Sequence, residues 1–167
     1  MAEGDAPSQT YIIFEVAGTA FGVPSSEVRH IEMVETITPV PDALPFVDGV
    51  VFSRGEIIPA VNLRVRFGLD KIPHDLRTRI VVVKVGERTV GFIADSAREF
   101  VRISTRSIID PPEEIAETSG RYLRGIAKLG ERLVLLVKPE AILKQGEEDE
   151  LPLFHETVLD RGLAETD

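Results

Sequence analysis

The 167-residue chain contains no cysteine and no tryptophan, and only two tyrosines and two methionines. Without cysteine there is no disulfide framework and no thiolate metal site, which fits a reducing compartment. No apolar run is long enough to cross a bilayer as a helix, and no basic-then-apolar segment opens the chain. These features lead to the expectation of a cytoplasmic protein. Metal-ligand spacing is also missing, because His30, His74 and His155 stand apart from one another and from any ligand-spaced acid. There is no nucleophile elbow, no P-loop and no dinucleotide-binding glycine pattern. Asp95-Ser96 and Asp110 read as turn or cap residues, and Glu113-Glu114 as solvated loop surface. No catalytic centre and no cofactor are expected.

The net charge of −9 is held by the ends. Residues 145–167 carry eight acids and one base, and residues 1–8 carry Glu3 and Asp5, so residues 9–144 balance at 18 acids and 18 bases. A neutral core with 6% aromatic residues lacks the basic groove and stacking platforms of a nucleic-acid binder. Acidic ends also disfavour direct contact with an anionic membrane.

Valine (19) and isoleucine (15) together outnumber leucine (14) by more than two to one, which favours sheet. Short apolar runs occur at Tyr11–Val16, Val47–Phe52, Ile57–Val61, Ile80–Val85, Val90–Ala94, Leu123–Leu129 and Leu133–Val137. Four tight connections read as hairpin turns: Ala17-Gly18-Thr19, Ser53-Arg54-Gly55-Glu56, Gly86-Glu87-Arg88 and Gly130-Glu131-Arg132. Helix is expected only in brief pieces. One follows Pro24-Ser25-Ser26-Glu27, with Val28, Ile31 and Val34 on one side, and another opens at Pro139-Glu140. Loops are expected at 39–45 and 111–112.

An internal repeat sets the expected architecture. Phe46-Val47-Asp48-Gly49-Val50 matches Tyr122-Leu123-Arg124-Gly125-Ile126 at an offset of 76, and Gly55-Glu56-Ile57-Ile58 matches Gly130-Glu131-Arg132-Leu133 at 75. Copies at roughly 11–68 and 80–143 suggest two packed five-stranded barrels, mainly all-β with short helices. Residues 1–9 are expected to form a flexible N-terminus. The change of offset makes Arg54 the residue deleted between the copies. Its guanidinium, beside Gly55 on a rigid turn, offers a planar fork to a partner's carboxylate.

The run Pro39-Val40-Pro41 through Phe46-Val47-Asp48-Gly49-Val50-Val51-Phe52-Ser53-Arg54-Gly55-Glu56-Ile57-Ile58-Pro59-Ala60-Val61-Asn62-Leu63-Arg64 resembles the CheW family of coupling proteins from bacterial chemosensory arrays. The likeness extends through Tyr11-Ile12-Ile13-Phe14, Phe21-Gly22-Val23-Pro24, Val28-Arg29-His30-Ile31, Gly91-Phe92-Ile93-Ala94-Asp95 and Tyr122-Leu123-Arg124-Gly125-Ile126, covering residues 10–144 in order. The resemblance implies two SH3-like five-stranded β-barrels. It also implies a non-catalytic adaptor between the cytoplasmic tips of methyl-accepting chemoreceptors and the regulatory domain of a CheA-type histidine kinase, recruited to membrane-associated arrays. An alternative is a CheW-like module of a non-flagellar pathway or another signalling complex. By position, Val28, Ile31, Arg54 and Gly55 fall in segments tied to those partners. The chain departs from the family pattern at His30, where glutamate is common, at Phe52-Ser53 in place of Asn-Leu, and at Asn62 in place of Asp. His30 and Phe52 therefore join the expected protein-binding residues. Beyond Gly146, Leu151, Phe154 and Val158 fall at helical spacing within the acidic tail. That segment reads as a mobile acidic end or as one that docks on a partner or on its own barrel.

Overall fold

The computed structural model describes residues 7–116 and 122–143. Eleven strands are described: β1 (Ser8–Val16), β2 (Thr19–Pro24), β3 (Val28–Met33), β4 (Val47–Ser53), β5 (Glu56–Asn62), β6 (Arg79–Val85), β7 (Arg88–Ala94), β8 (Ser96–Ser104), β9 (Ile108–Ile109), β10 (Leu123–Leu129) and β11 (Arg132–Val137). Three single-turn helices, α1 (Leu63–Arg66), α2 (Glu113–Ala116) and α3 (Pro139–Ile142), complete the picture with 3₁₀ turns at Ser25–Glu27 and Thr105–Ser107. The expected β architecture is present, as two curled sheets ordered β8-β1-β2-β11-β10-β9 and β3-β6-β7-β5-β4.

The strand order shows how the repeat is used. Each copy does not close its own barrel, as the spacing suggested; the copies exchange their first hairpins. The β1–β2 hairpin of the first copy pairs with β8 and β11 of the second, and the β6–β7 hairpin of the second pairs with β3 and β5 of the first. The two sheets therefore repeat one order, with β8, β1, β2, β11 and β10 in the places of β3, β6, β7, β5 and β4. The parallel β2–β11 and β5–β7 contacts are the joints that this exchange creates.

Exchange explains why the apolar runs do not alternate with polar residues. Tyr11 and Ile13 face one barrel interior, whereas Ile12, Phe14 and Val16 join a central core shared by both barrels. Ile80 and Val82 fill the other interior, and Val81, Val83 and Val85 meet the same central core. Strands buried on both faces read as continuous hydrophobic runs.

Four hairpins have two-residue turns where expected. Ala17-Gly18 and Arg54-Gly55 hold both central residues at positive φ, the type I′ geometry, while Gly86-Glu87 and Gly130-Glu131 do so only at the first, the type II′ pattern. Ser53 pairs with Glu56 and Leu129 with Arg132, so the offset stays at 76 and Arg54 is not an inserted residue. The two turns have equal length and differ in type, with Gly55 and Gly130 at different places in them.

The helix expected after Pro24 is absent apart from its 3₁₀ turn; Val28–Met33 is strand. Val28 lies opposite Val83 and Ile31 opposite Val81, because a bulge at Arg29 places three residues against two. The bulge gives a strand the i, i+3 spacing of a helix face. The structure further differs from expectation at the N-terminus, where β1 pairs from Ser8 rather than starting beyond residue 9, and at Glu113-Glu114, which open α2. Expectations for residues 144–167 lie outside the described residues.

Candidate partner-binding surface

The outer strands of the second sheet, β3 and β4, share no backbone ladder. Side chains join them instead. His30 Nε2 lies 2.5 Å from Glu32 Oε2 and 3.0 Å from Ser53 Oγ, while the Ser53 hydroxyl donates to Glu32 Oε2 at 2.5 Å. His30 is thus not isolated from an acid, as the sequence suggested: residues i and i+2 of a strand share a face. The arrangement is not a hydrolytic triad, since serine and glutamate meet the same imidazole nitrogen and the serine proton is committed to the carboxylate. The cavity beside it measures only about 150 Å³ and is rimmed by Arg29, Arg54, Glu56 and Thr89. Among the described residues no cluster of acids and histidines could hold a metal.

Next to this bridge the surface is apolar. In β4, Val51 and Ser53 point inward and Phe52 outward, where it is 74% exposed. Met33 at the end of β3 is 52% exposed, and both line a shallow depression with Glu35 and Thr36. Strand alternation alone, with the inward set occupied by Val51, gives Phe52 this direction. Glu32 and Met33 lie on β3, whose strand periodicity the Arg29 bulge obscures in the sequence, and Glu35 follows in the loop, where no sequence pattern marks it.

Arg54 tips the same hairpin at φ 50, with Gly55 at φ 86. Open space surrounds Gly55, so the turn rather than close packing requires glycine there. Arg54 makes no ion pair or side-chain hydrogen bond among the described residues. A left-handed non-glycine residue costs about 1–2 kcal/mol, a cost set here by the type I′ turn that joins β4 to β5. Val28 and Ile31 lie elsewhere, half-buried on the opposite face of β3 and packed on the central core at the seam between the barrels. The six expected binding residues therefore divide between a hairpin patch (His30, Phe52, Arg54, Gly55) and a seam (Val28, Ile31).

Asn62, the departure in the Asn62-Leu63-Arg64 segment, is a structural cap. Its Oδ1 accepts from the Val65 N–H at 3.3 Å and its Nδ2 donates to Asp48 at 2.9 Å.

A charged lock holds the barrels in register. Arg64, just after β5, donates from Nε and Nη2 to Asp95 at 3.0 and 2.7 Å, and the Ala17 N–H at the β1–β2 turn donates to the same carboxylate at 2.8 Å. Burial pushes the Asp95 carboxyl up, but these donors outweigh it and hold it below the ordinary range. A depressed folded-state value stabilises above the unfolded aspartate value of about 3.9 and loses that contribution as pH falls through the folded value. Asp95→Asn is expected to cost about 1.5 kcal/mol at pH 7. Paired denaturant titrations at pH 7 and pH 3 should show the gap from wild type narrowing in acid.

Residues 10–147 match the CheW-like domain family. The chain is 29% identical over 144 residues to the chemotaxis protein CheW of Klebsiella aerogenes, covering 86% of this chain and 87% of that one. It is 31% identical over 135 residues to CheW of Helicobacter pylori, covering 81% of both chains. The crystal structure of the scaffolding protein TtCheW from Thermoanaerobacter tengcongensis superposes with a TM-score of 0.77 at 26% identity, over 84% of this chain and 96% of that one. Shared sequence across both repeat copies and a shared double-sheet fold lead to one conclusion: the chain belongs to the CheW-like domain family.

Proposed function

We propose that this protein is a non-catalytic adaptor that couples chemoreceptors to a CheA-type histidine kinase in a bacterial chemosensory array. The observation that carries the reading is the β4–β5 hairpin. A left-handed Arg54 with no partner among the described residues stands near a 74% exposed Phe52, on a hairpin paired through β5 to the exchanged β7 strand. An apolar anchor next to a guanidinium is the composition of an interface hot spot. The kinase regulatory domain is the partner we assign to this patch. The receptor tip, a helical hairpin, is assigned to the seam at Val28 and Ile31, where apolar side chains are half-buried against the central core.

Two departures from the family pattern meet in space, because His30 and Ser53 are hydrogen-bonded partners. They compensate each other in the barrel, which leaves Phe52 as the departure that alters the outer surface. This supports a coupler matched to one dedicated kinase, including one of a non-flagellar pathway.

Phe52→Ser is expected to leave the unfolding free energy within about 0.5 kcal/mol of wild type while weakening binding to the kinase regulatory domain about tenfold, measured by calorimetric titration. Equal affinity of both forms would remove Phe52 from the interface. Binding of the wild type to none of the CheA-type regulatory domains of the same organism would overturn the kinase assignment.

A further inference from the structure

A second surface lies away from the hairpin patch. On the side of the central core formed by β2, β10, β11 and α1 there is a cleft of about 660 Å³ lined by Phe21, Phe67, Leu69, Tyr122, Ile126 and Leu135. Its floor is an aromatic ladder, with ring centroids 5.2 Å apart for Phe21–Phe67 and 5.9 Å for Phe67–Tyr122, backed by the buried Phe14 stacked on Phe21 at 5.6 Å. The Arg66 guanidinium lies over Tyr122 at 5.1 Å and over Phe46 at 5.3 Å, at the edge of the cleft. Leu69 at the rim is 43% exposed, and Phe67, Tyr122 and Leu135 are only partly buried. An apolar concavity of this size is the kind of surface that takes an apolar segment.

The chain itself delivers such a segment to it. Arg66 Nε donates to the Ile142 carbonyl at 2.6 Å, so α3 ends against the residue that edges the cleft, and the described chain stops one residue later at Leu143. Residues 144–150 then lead to Leu151-Pro152-Leu153-Phe154-His155-Glu156-Thr157-Val158-Leu159. Seven residues reach about 23 Å when extended, enough to bring Leu151 to any part of the cleft. Leu151, Phe154 and Val158 recur at i, i+3 and i+7, in an apolar segment that follows four consecutive acids, Glu147-Glu148-Asp149-Glu150. A tether this short raises the local concentration of the segment to the millimolar range, so weak intrinsic affinity suffices to fill the site.

We propose that residues 151–159 occupy this cleft in cis, with Phe154 and its flanking leucines seated on the aromatic ladder. The inference stands independently of the adaptor reading, since it concerns a different surface and a segment beyond the adaptor's strands.

The absence of cysteine makes the test clean. A nitroxide on Thr157→Cys in the full chain is the sole label, and paramagnetic broadening of ¹⁵N amides reports what it approaches. Broadening of severalfold at Phe67, Leu69, Ile126 and Leu135 is expected, with none at Phe52 or Arg54. Phe154→Asp in the labelled chain should abolish it, and truncation after Gly146 should shift the amides of the same cleft residues. Absent or uniform broadening, or shifts on truncation that miss the cleft, would overturn the proposal. So would broadening that appears only when labelled chain is mixed with ¹⁵N chain, since a second copy would then be the occupant.

Discussion

Gly49→Ala is expected to destabilise the fold by about 3 kcal/mol, the largest effect of any single added methyl in the described chain. Gly49 sits in β4 at φ 148, and a Cβ there would lie 2.1 Å from the Thr38 carbonyl oxygen and 2.7 Å from its carbon. Both are backbone atoms, held by two 2.9 Å hydrogen bonds between Thr38 and Val50. The segment cannot lift away without breaking those bonds and disturbing Phe46, which it feeds into the central core. Gly55→Ala is the control: it carries positive φ but meets nothing within 4 Å, so only the backbone cost of about 1 kcal/mol applies. Urea titrations of the two variants decide the matter. A Gly49→Ala loss no larger than that of Gly55→Ala would mean that the crossing segment is not fixed on β4.

Arg54→Glu is expected to weaken the kinase regulatory domain between tenfold and a hundredfold, about 1.4–2.7 kcal/mol, with an unchanged melting temperature. The side chain is exposed at a hairpin tip and has no partner among the described residues to lose, so reversal costs the fold nothing. On the proposed assignment it would place like charge opposite the carboxylate that the guanidinium is proposed to meet, and like-charge juxtaposition is among the strongest deterrents at an interface. The loss should shrink for Arg54→Lys, which keeps the charge without the planar fork, but not vanish. Unaltered affinity for Arg54→Glu would reduce Arg54 to a turn residue.

The turns were the most legible part of this fold because their glycines answer a local demand. Gly18, Gly55, Gly86 and Gly130 all carry positive φ, and each lies between apolar runs that became paired strands. Non-local features were not legible. Sequence similarity between the copies reports matching local structure but cannot say which copy pairs with which, so the hairpin exchange was hidden. β3 reads as a helix in the sequence because the Arg29 bulge imitates helical spacing. β8 is not legible because residues 98–100 and 102 on this edge strand are exposed and Arg98, Glu99 and Arg102 are charged, so no apolar run marks it.

The candidate site was legible by position and not by environment. Arg54, Gly55 and Phe52 were named from the sequence, but only the orientation of β4 exposes Phe52. The His30–Ser53–Glu32 bridge joins residues from two strands whose proximity comes from the curl of the sheet. Val28 and Ile31 were named together and do sit together, for the bulge aligns them on the seam rather than on a helix.

Reconstitution of receptor-containing membranes with the cognate CheA-type kinase, with and without this chain, tests the adaptor role most directly. Kinase autophosphorylation is the readout. Receptor-dependent control of the kinase should appear only when the chain is added, and it should be lost with Arg54→Glu. A kinase that responds to receptors equally well without the chain, or not at all with it, would contradict the account.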